Sequence, residues 1–304
     1  MTRVVVDADY LVYSCGFAAE KTMYDVSVER PDGTIGETIV RYMDEVKAFL
    51  SDEPMAETAV VEPLVHAEPL QNALFLVSRV LTGVDSRLTE LGVDFDELEL
   101  YLTGKGNFRD SLATIKGYKA NRIDSRKPVH YKSIRRYLTN RWGAKVVDGY
   151  EADDAVAMLA AQYDYDPSRL IIVSLDKDLR TVPGGHYHFK RRTLEVLTHE
   201  DALVNFYRQL LTGDTVDNIG GCFKCGEKKA AKLVHHGMTE QEMYEACLNE
   251  FKASVERKGC PYAGMDPASA LLENARLLHM LRKPNDVWLP PAERSSTDPG
   301  SSKS

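Results

Sequence analysis

Two short apolar runs constrain this chain more than any other feature. Arg3–Val6 carries three consecutive valines and stops at Asp7-Ala8-Asp9, and Leu170-Ile-Ile-Val-Ser-Leu175 runs straight into Asp176-Lys177-Asp178. Neither run alternates polar with apolar, so each reads as a strand buried on both faces, as in parallel sheets covered by helices. Glu97–Leu102 and Lys145–Val147 are further strand candidates. Helical periodicity fills the intervals at Gln71–Leu91, Tyr131–Trp142 and Ala152–Gln162. Strands alternating with helices predict βαβ units and an α/β fold with a mostly parallel central sheet flanked by helices.

Around that core, Tyr24–Val28 and Thr38–Val40 flank Pro31-Asp32-Gly33 and predict a β-hairpin. Residues 51–69 are acidic and punctuated by Pro54, Pro63 and Pro69, which predicts a loop. From about Thr198 the apolar pattern is mostly helical, and from Pro290 the chain is rich in Pro and Ser and is expected to be disordered. The expected organisation is therefore a core over 1–197, a helical region over 198–289 and a tail over 290–304. No internal repeat is visible.

Composition narrows the class. No run of about 18 apolar residues exists, which excludes a membrane-spanning helix. Only three valines precede Asp7, too few for a signal-peptide core. Five scattered cysteines, an odd number, suit a reducing compartment, so a cytoplasmic protein is expected. The formal net charge of −8 argues at first against nucleic acid as a partner. Its placement reverses that inference.

Acids gather where an α/β sheet places its functional groups, at the carboxyl ends of strands. Asp7 follows the first run, and Asp176 and Asp178 follow Leu170–Leu175. Lys145–Val147 leads into Asp148-Gly-Tyr-Glu151-Ala-Asp153-Asp154, with Glu151 and Asp154 on one helical face. Asp214 and Asp217 repeat that spacing. Any one pair has a blander explanation as turn or helix-start residues. Four pairs together point to hard cations such as Mg²⁺ or Mn²⁺, because clustered carboxylates repel unless neutralised. Two such ions about 4 Å apart suit phosphodiester hydrolysis.

Residues 105–145 hold twelve Lys/Arg against Asp110 and Asp124, a formal +10, with Phe108, Tyr118 and Tyr131 among them. An isolated charge run is usually a solvated face. Between carboxylate-bearing strands it reads as a phosphate grip with aromatics available to stack on bases. Beyond Asp217, Gly220-Gly-Cys-Phe-Lys-Cys-Gly226 followed by Lys228 and Lys229 reads as a short helix, a Gly-bounded hairpin and a second helix offering N–H groups to phosphate. Cys222 and Cys225 form a lone C-x-x-C without the second pair that a zinc site needs.

Five motifs in order resemble the 5′-nuclease superfamily, which includes the 5′→3′ exonuclease domain of DNA polymerase I, flap endonucleases and phage-encoded exonucleases. They are Val-Asp7-Ala-Asp-Tyr, Tyr118-Lys119-Ala-Asn-Arg122, Gly149-Tyr-Glu151-Ala-Asp153-Asp154, Ser174-Leu-Asp176-Lys-Asp178-Leu and Thr212-Gly-Asp214-Thr-Val-Asp217-Asn218-Ile219. The resemblance spans about Val4 to Val234, and its form suggests a stand-alone phage-type enzyme. It implies that Asp7, Glu151, Asp153, Asp154, Asp176, Asp178, Asp214 and Asp217 hold two Mg²⁺ ions, replaceable by Mn²⁺, directly or through water. It implies a helical arch at about 105–145 with Lys119 and Arg122 as the catalytic pair at its base on the scissile phosphate. It also implies a helix-hairpin-helix around Gly220–Gly226, with a K⁺ ion, that holds the duplex. Nucleic-acid contacts are expected from Arg109, Tyr118, Lys119, Arg122, Gly220, Gly226, Lys228 and Lys229.

Two departures stand out. The family usually carries an acid just before the arch, where this chain has Gly104. Either Asp9 compensates or the first metal has one fewer carboxylate. The hairpin carries Cys222, Lys224 and Cys225 in place of small apolar residues and proline.

The expected activity is hydrolysis of DNA, and of RNA in RNA–DNA hybrids, from 5′ ends or at 5′ flaps, in replication, primer removal or recombination, by a monomer. Alternatives are a PIN-type ribonuclease, which lacks a helix-hairpin-helix, a non-catalytic structure-specific DNA-binding protein on the same fold, and a zinc-dependent module at Cys222/Cys225. Thr22–Pro69, with twelve acids against four bases counted over 20–68, either repels DNA and so defines its path or is an exposed insertion, the second reading being favoured. The eight proposed metal-site acids alone equal the net charge of the chain.

Overall fold

The computed structural model describes residues 1–123 and 125–294. By proximity the chain divides into two compact units: residues 1–10, 83–126 and 139 onward, and residues 11–82 with 127–138. In chain order the regular elements begin with β1 (Arg3–Asp7), α1 (Asp9–Ala18), β2 (Glu20–Glu29), β3 (Ile35–Val40), α2 (Met43–Ser51), β4 (Val60–Ala67) and α3 (Leu70–Glu90). There follow β5 (Leu98–Asn107), α4 (Arg109–Leu112), α5 (Tyr131–Trp142), β6 (Lys145–Gly149), α6 (Ala152–Gln162), β7 (Leu170–Ser174), β8 (Gly184–His188) and β9 (Thr193–Leu197). The chain continues with α7 (His199–Thr212), α8 (Glu227–Leu233), α9 (Glu240–Val255) and α10 (Pro267–Leu278).

The first unit contains a six-stranded sheet in the order β6-β5-β1-β7-β8-β9, parallel except for β9. The expected mostly parallel sheet is therefore present. Val4, Val5 and Val6 are fully buried at its centre, which is why β1 shows no alternation. Each buried valine contributes about 1.5–3 kcal/mol by leaving water. The register sets Asp7 opposite Tyr101 on β5 and Val6 opposite Val173 on β7. β1 and β7 thus end at one level, while β5 runs on past Tyr101 to Asn107, and whatever follows β1 and β7 meets there. α6 packs Ala152, Ala155, Val156 and Ala160 with Val5, Tyr101, Leu170 and Ile172.

β8 and β9 have no counterpart in the sequence reading. Gly184-Gly-His-Tyr-His looks like a turn, yet the strand needs a small residue there: Gly184 has φ +115°, and a Cβ would stand 3.1 Å from the Tyr165 carbonyl. The helical region is built on capped starts. Thr198 accepts from the Asp201 N–H before α7, Thr239 from Glu242 before α9, and Asp266 from Ser269 before α10. Its core includes Tyr207, Leu211, Met243, Phe251, Leu271 and Trp288.

In the second unit β2, β3 and β4 form an antiparallel sheet ordered β3-β2-β4. The expected hairpin is β2–β3, with Tyr24 opposite Val40 and Glu29 opposite Ile35. The loop expected over 51–69 is corrected: Val60–Ala67 pairs with β2 along its length despite Pro63. β4 is an edge strand, where a proline's missing N–H costs no ladder bond.

Residues 105–145, expected as an arch, hold α4, a 3-10 turn at Ala120–Arg122 and α5, with turns and extended chain between. The disordered tail expected from Pro290 begins with a 3-10 turn at Pro291–Glu293, and 295–304 lie outside the described residues. Among the described residues no helix is long and apolar enough to cross a membrane.

Candidate active site

The level ends of β1 and β7 bring the acids of distant segments together. Asp7, 6% exposed, ends β1; its Oδ1 accepts the Asp9 N–H at 3.2 Å, and its Oδ2 accepts the Ser174 hydroxyl at 3.4 Å. Ser174 Oγ in turn accepts the Asp176 N–H at 2.9 Å, and Asp176 Oδ1 accepts the Asp178 N–H at 2.9 Å. Glu151, Asp153 and Asp154 open α6, where carboxylates also complement the helix dipole. That helix start is tied to β5 by the Ala152 N–H donating to Thr103 Oγ1 at 2.9 Å. Asp214 and Asp217 lie in a turn closed by paired hydrogen bonds between Asp214 and Ile219 at 2.7 and 2.8 Å. This turn, following α7 directly, stands where a short helix was expected.

The electrostatics are those of crowded carboxylates. Burial, then the charges of Asp9 and Asp176, push Asp7 up to about 8. Burial, then Asp176 and Asp214, push Asp178 up to about 7. Asp153 is raised well above the usual carboxylate range by burial and by Asp154 and Glu151. Among the described residues no three acids converge into a ready-made coordination shell.

Bases clasp several of the acids instead. Lys119 Nζ bonds Glu151 and lies 3.6 Å from Asp217, and Arg122 Nη2 lies 3.0 Å from Asp217. Lys177 Nζ lies 2.9 Å from Asp214; although burial opposes it, this lysine holds Asp214 below the usual range. The Tyr118 hydroxyl donates toward Glu151 at 2.7 Å and Asp217 at 3.0 Å.

Lys119 and Arg122 reach the acids because the segment is laced to the 214–218 turn. The Lys119 N–H donates to the Asp217 carbonyl at 3.0 Å, Asn121 Nδ2 to Thr215 O at 2.8 Å and Arg122 Nε to Val216 O at 2.9 Å. Lys119 has φ +51°, a left-handed conformation that is strained for a lysine.

Three expected roles are corrected by burial. Arg109 is not a surface nucleic-acid contact: it is 0% exposed, its guanidinium over the Phe108 ring. Asp154, also 0% exposed, accepts from Arg109 Nη1 at 2.6 Å and Nη2 at 2.8 Å and from the Leu281 N–H at 3.1 Å. Its lone pairs are spent on that clasp, so it positions α6 rather than facing a ligand. Tyr118 offers no ring for stacking, because it is turned into the acids.

Lys177, and Gln209 with its Nε2 2.5 Å from Asp178 Oδ1, sit in the cluster although the sequence reading passed over them. A lysine between two acids was the available signal for the first; the second joins only through the packing of α7.

The hairpin residues lie in the same unit. Gly226 precedes α8, Lys228 is exposed and Lys229 pairs with Glu250 at 2.6 Å. A Cβ on Gly220 would collide with the Tyr262 hydroxyl. Lys116, Phe223, Lys224, Gly226 and Tyr262 line an open groove of about 620 Å³. Cys222, Cys225 and Cys247 are buried in the apolar core, where burial raises all three thiols and they pack as small hydrophobes; among the described residues no three His, Cys, Asp or Glu side chains are grouped as zinc would need.

No family model matches the chain. It is 28% identical over 246 residues to DNA polymerase I of Rhizobium leguminosarum, covering 76% of this chain and 23% of the polymerase. It is 30% identical over 193 residues to DNA polymerase I of Streptococcus pneumoniae, covering 58% of this chain and 21% of the polymerase. The chain thus matches less than a quarter of the length of these relatives. Its fold is shared with the crystal structure of T5 D15 protein co-crystallised with metal ions, at a TM-score of 0.52 and 15% identity over 91% of this chain and 89% of that one. The resemblance read from the motifs is borne out by these similarities.

Proposed function

We propose that the chain is a metal-dependent 5′ nuclease that hydrolyses phosphodiester bonds of DNA at 5′ ends or 5′ flaps, and of RNA in RNA–DNA hybrids. The observation that carries this reading is the gathering of acids from the ends of β1 and β7, the start of α6 and the Asp214–Asp217 turn, crowded enough that burial and mutual repulsion hold several of them above the usual carboxylate range. Asp7 and Asp178 are pushed to about 8 and about 7. An all-oxygen donor set with that deficit fits hard divalent ions such as Mg²⁺ or Mn²⁺. Similarity to DNA polymerase I and a fold shared with a protein co-crystallised with metal ions support it.

Asp7, Glu151, Asp153 and Asp176 would hold one ion and Asp178, Asp214 and Asp217 contribute to a second, with Asp154 behind them. When bound, such ions lower the pKa of water and offset charge on the phosphate. The remaining chemistry belongs to the chain. Lys119 and Arg122, now spent on Glu151 and Asp217, become free to grip the phosphate once those acids have another cation. The strained Lys119 is pinned where it must act. Lys177 stands in the same relation to Asp214.

The groove at Lys116, Lys224 and Gly226 would seat duplex backbone, with Lys228 beside it. A K⁺ ion at the hairpin belongs to the same reading, though the Phe223 carbonyl is already taken by Arg257 Nη1 at 2.8 Å. The hairpin after Asp217 separates this reading from a PIN-type ribonuclease. Asp153→Asn tests it: cleavage in Mg²⁺ should vanish while duplex binding persists, and undiminished activity in that variant would overturn the assignment.

A further inference from the structure

We propose that Asp9 is a ligand of the metal centre, supplying beside Thr103 of β5 the carboxylate that position 104 cannot carry. The inference rests on the nuclease reading above and concerns the same site.

Position 104 is closed to any side chain. A Cβ on Gly104 would collide with the Asp148 carboxylate and stand 2.6 Å from the Val147 carbonyl and 3.0 Å from Val146 Cγ1. The cause is the irregular pairing of β5 with β6, whose register shifts between Thr103 and Asn107 and draws the β6 backbone over Gly104. Asp148 itself does not fill the vacancy toward the acids. It is exposed, and its Oδ1 accepts the Lys105 N–H at 2.6 Å on the β6 side of the strand.

Asp9 approaches from the other side. β1 and β5 are parallel with Asp7 opposite Tyr101, and the Ala8 N–H continues the ladder to the Tyr101 carbonyl at 2.9 Å. Two residues past Asp7, Asp9 therefore lies level with Thr103, and its Oδ2 accepts the Thr103 N–H at 3.1 Å. Its own N–H donates to Asp7 Oδ1, so the two carboxylates share one corner of the cluster. Thr103 completes the corner by holding the start of α6 through Ala152. A carboxylate fixed at the strand end next to Asp7, at the residue before a glycine that can bear none, is positioned to share Asp7's cation.

The test is Mn²⁺ binding to the full chain, followed by calorimetry and by the loss of free-ion paramagnetic resonance, for wild type, Asp9→Asn, Asp9→Glu, Asp148→Asn and Asp153→Asn. Asp9→Asn keeps an oxygen for the Thr103 N–H. It should weaken the tighter site at least about tenfold, Asp9→Glu should recover part of the loss, and Asp148→Asn should bind as wild type. The metal-free Asp9→Asn protein should melt no lower than wild type, because a like charge beside Asp7 is gone. Wild-type affinity and stoichiometry in Asp9→Asn, with Asp153→Asn impaired, would overturn the role of Asp9 alone. A fall in metal-free melting without a fall in affinity would leave Asp9 a helix-start residue and also overturn it. Wild-type binding in both variants would remove the metal centre itself.

Discussion

Replacing Arg109 with methionine separates a buried strut from a surface DNA contact. The guanidinium has no exposure and four acceptors within 2.8 Å: both Asp154 oxygens and the carbonyls of Leu277 and His279. Removing one partner of a buried ion pair leaves an uncompensated charge and costs about 3–5 kcal/mol. Each deserted carbonyl adds about 1–3 kcal/mol unless water reaches it. Arg109→Met should therefore lose about 5–11 kcal/mol, toward the lower end where water reaches the carbonyls, in urea denaturation followed by circular dichroism, as much as a typical domain's whole stability. Asp154→Leu should cost somewhat less, and the double variant should be more stable than the two losses added predict, with a coupling of about 3 kcal/mol. Arg109→Lys, which keeps the charge but cannot serve four acceptors, covers the case in which the methionine variant does not accumulate folded. The salt dependence of duplex binding should be unchanged in any folded variant, whereas loss of a phosphate contact lowers its slope by about 1. A cost below about 1 kcal/mol, joined to weaker and less salt-dependent DNA binding, would refute the burial argument.

Stability of the metal-free protein should fall as pH rises. Asp7 and Asp178 titrate near 8 and 7 when folded but near 3.8 otherwise, so the folded state binds more protons between about pH 4 and 8. In EDTA, melting should drop by about 5 °C or more from pH 6 to 8.5, and Mg²⁺ should abolish that slope; a flat profile would contradict the crowding. Gly104→Ala should cost about 1–3 kcal/mol in chemical denaturation, because even with the Asp148 carboxylate swung aside the Val147 carbonyl stands 2.6 Å from the new Cβ; a neutral result would show that β6 gives way. Lys119→Ala should slow cleavage of saturating duplex by about 100-fold or more while duplex affinity changes less than about tenfold; equal losses in both would make Lys119 only a binding residue.

Much of the core was legible because burial on both faces leaves an unambiguous trace: the Val4–Val6 and Leu170–Val173 runs could be little else, and the acids closing them were visible at once. The helices Tyr131–Trp142 and Ala152–Gln162 were readable to their ends through periodicity. What escaped lay in tertiary context. β4 tolerates Pro63 only because it is an edge, and β8 begins with a glycine pair that local propensity assigns to a turn. In the site, charge type was legible but partnership was not. Arg109 belongs to a basic run and Asp154 to an acidic motif, yet the fold buries them against each other through segments 45 residues apart. Gly104 announced a missing acid; that no side chain fits there, and that Asp9 arrives at Thr103, depends on a strand register that no sequence motif encodes.

The central claim is tested most directly by incubating duplex and 5′-flap DNA, labelled separately at each end, with the purified chain in Mg²⁺ and in EDTA. The account predicts rapid release of the 5′ label in short products, slow shortening of the 3′-labelled strand from its unlabelled end, and no cleavage in EDTA. Cleavage that persists in EDTA, release that begins at the 3′ end, or intact substrate in Mg²⁺ despite tight duplex binding would contradict it.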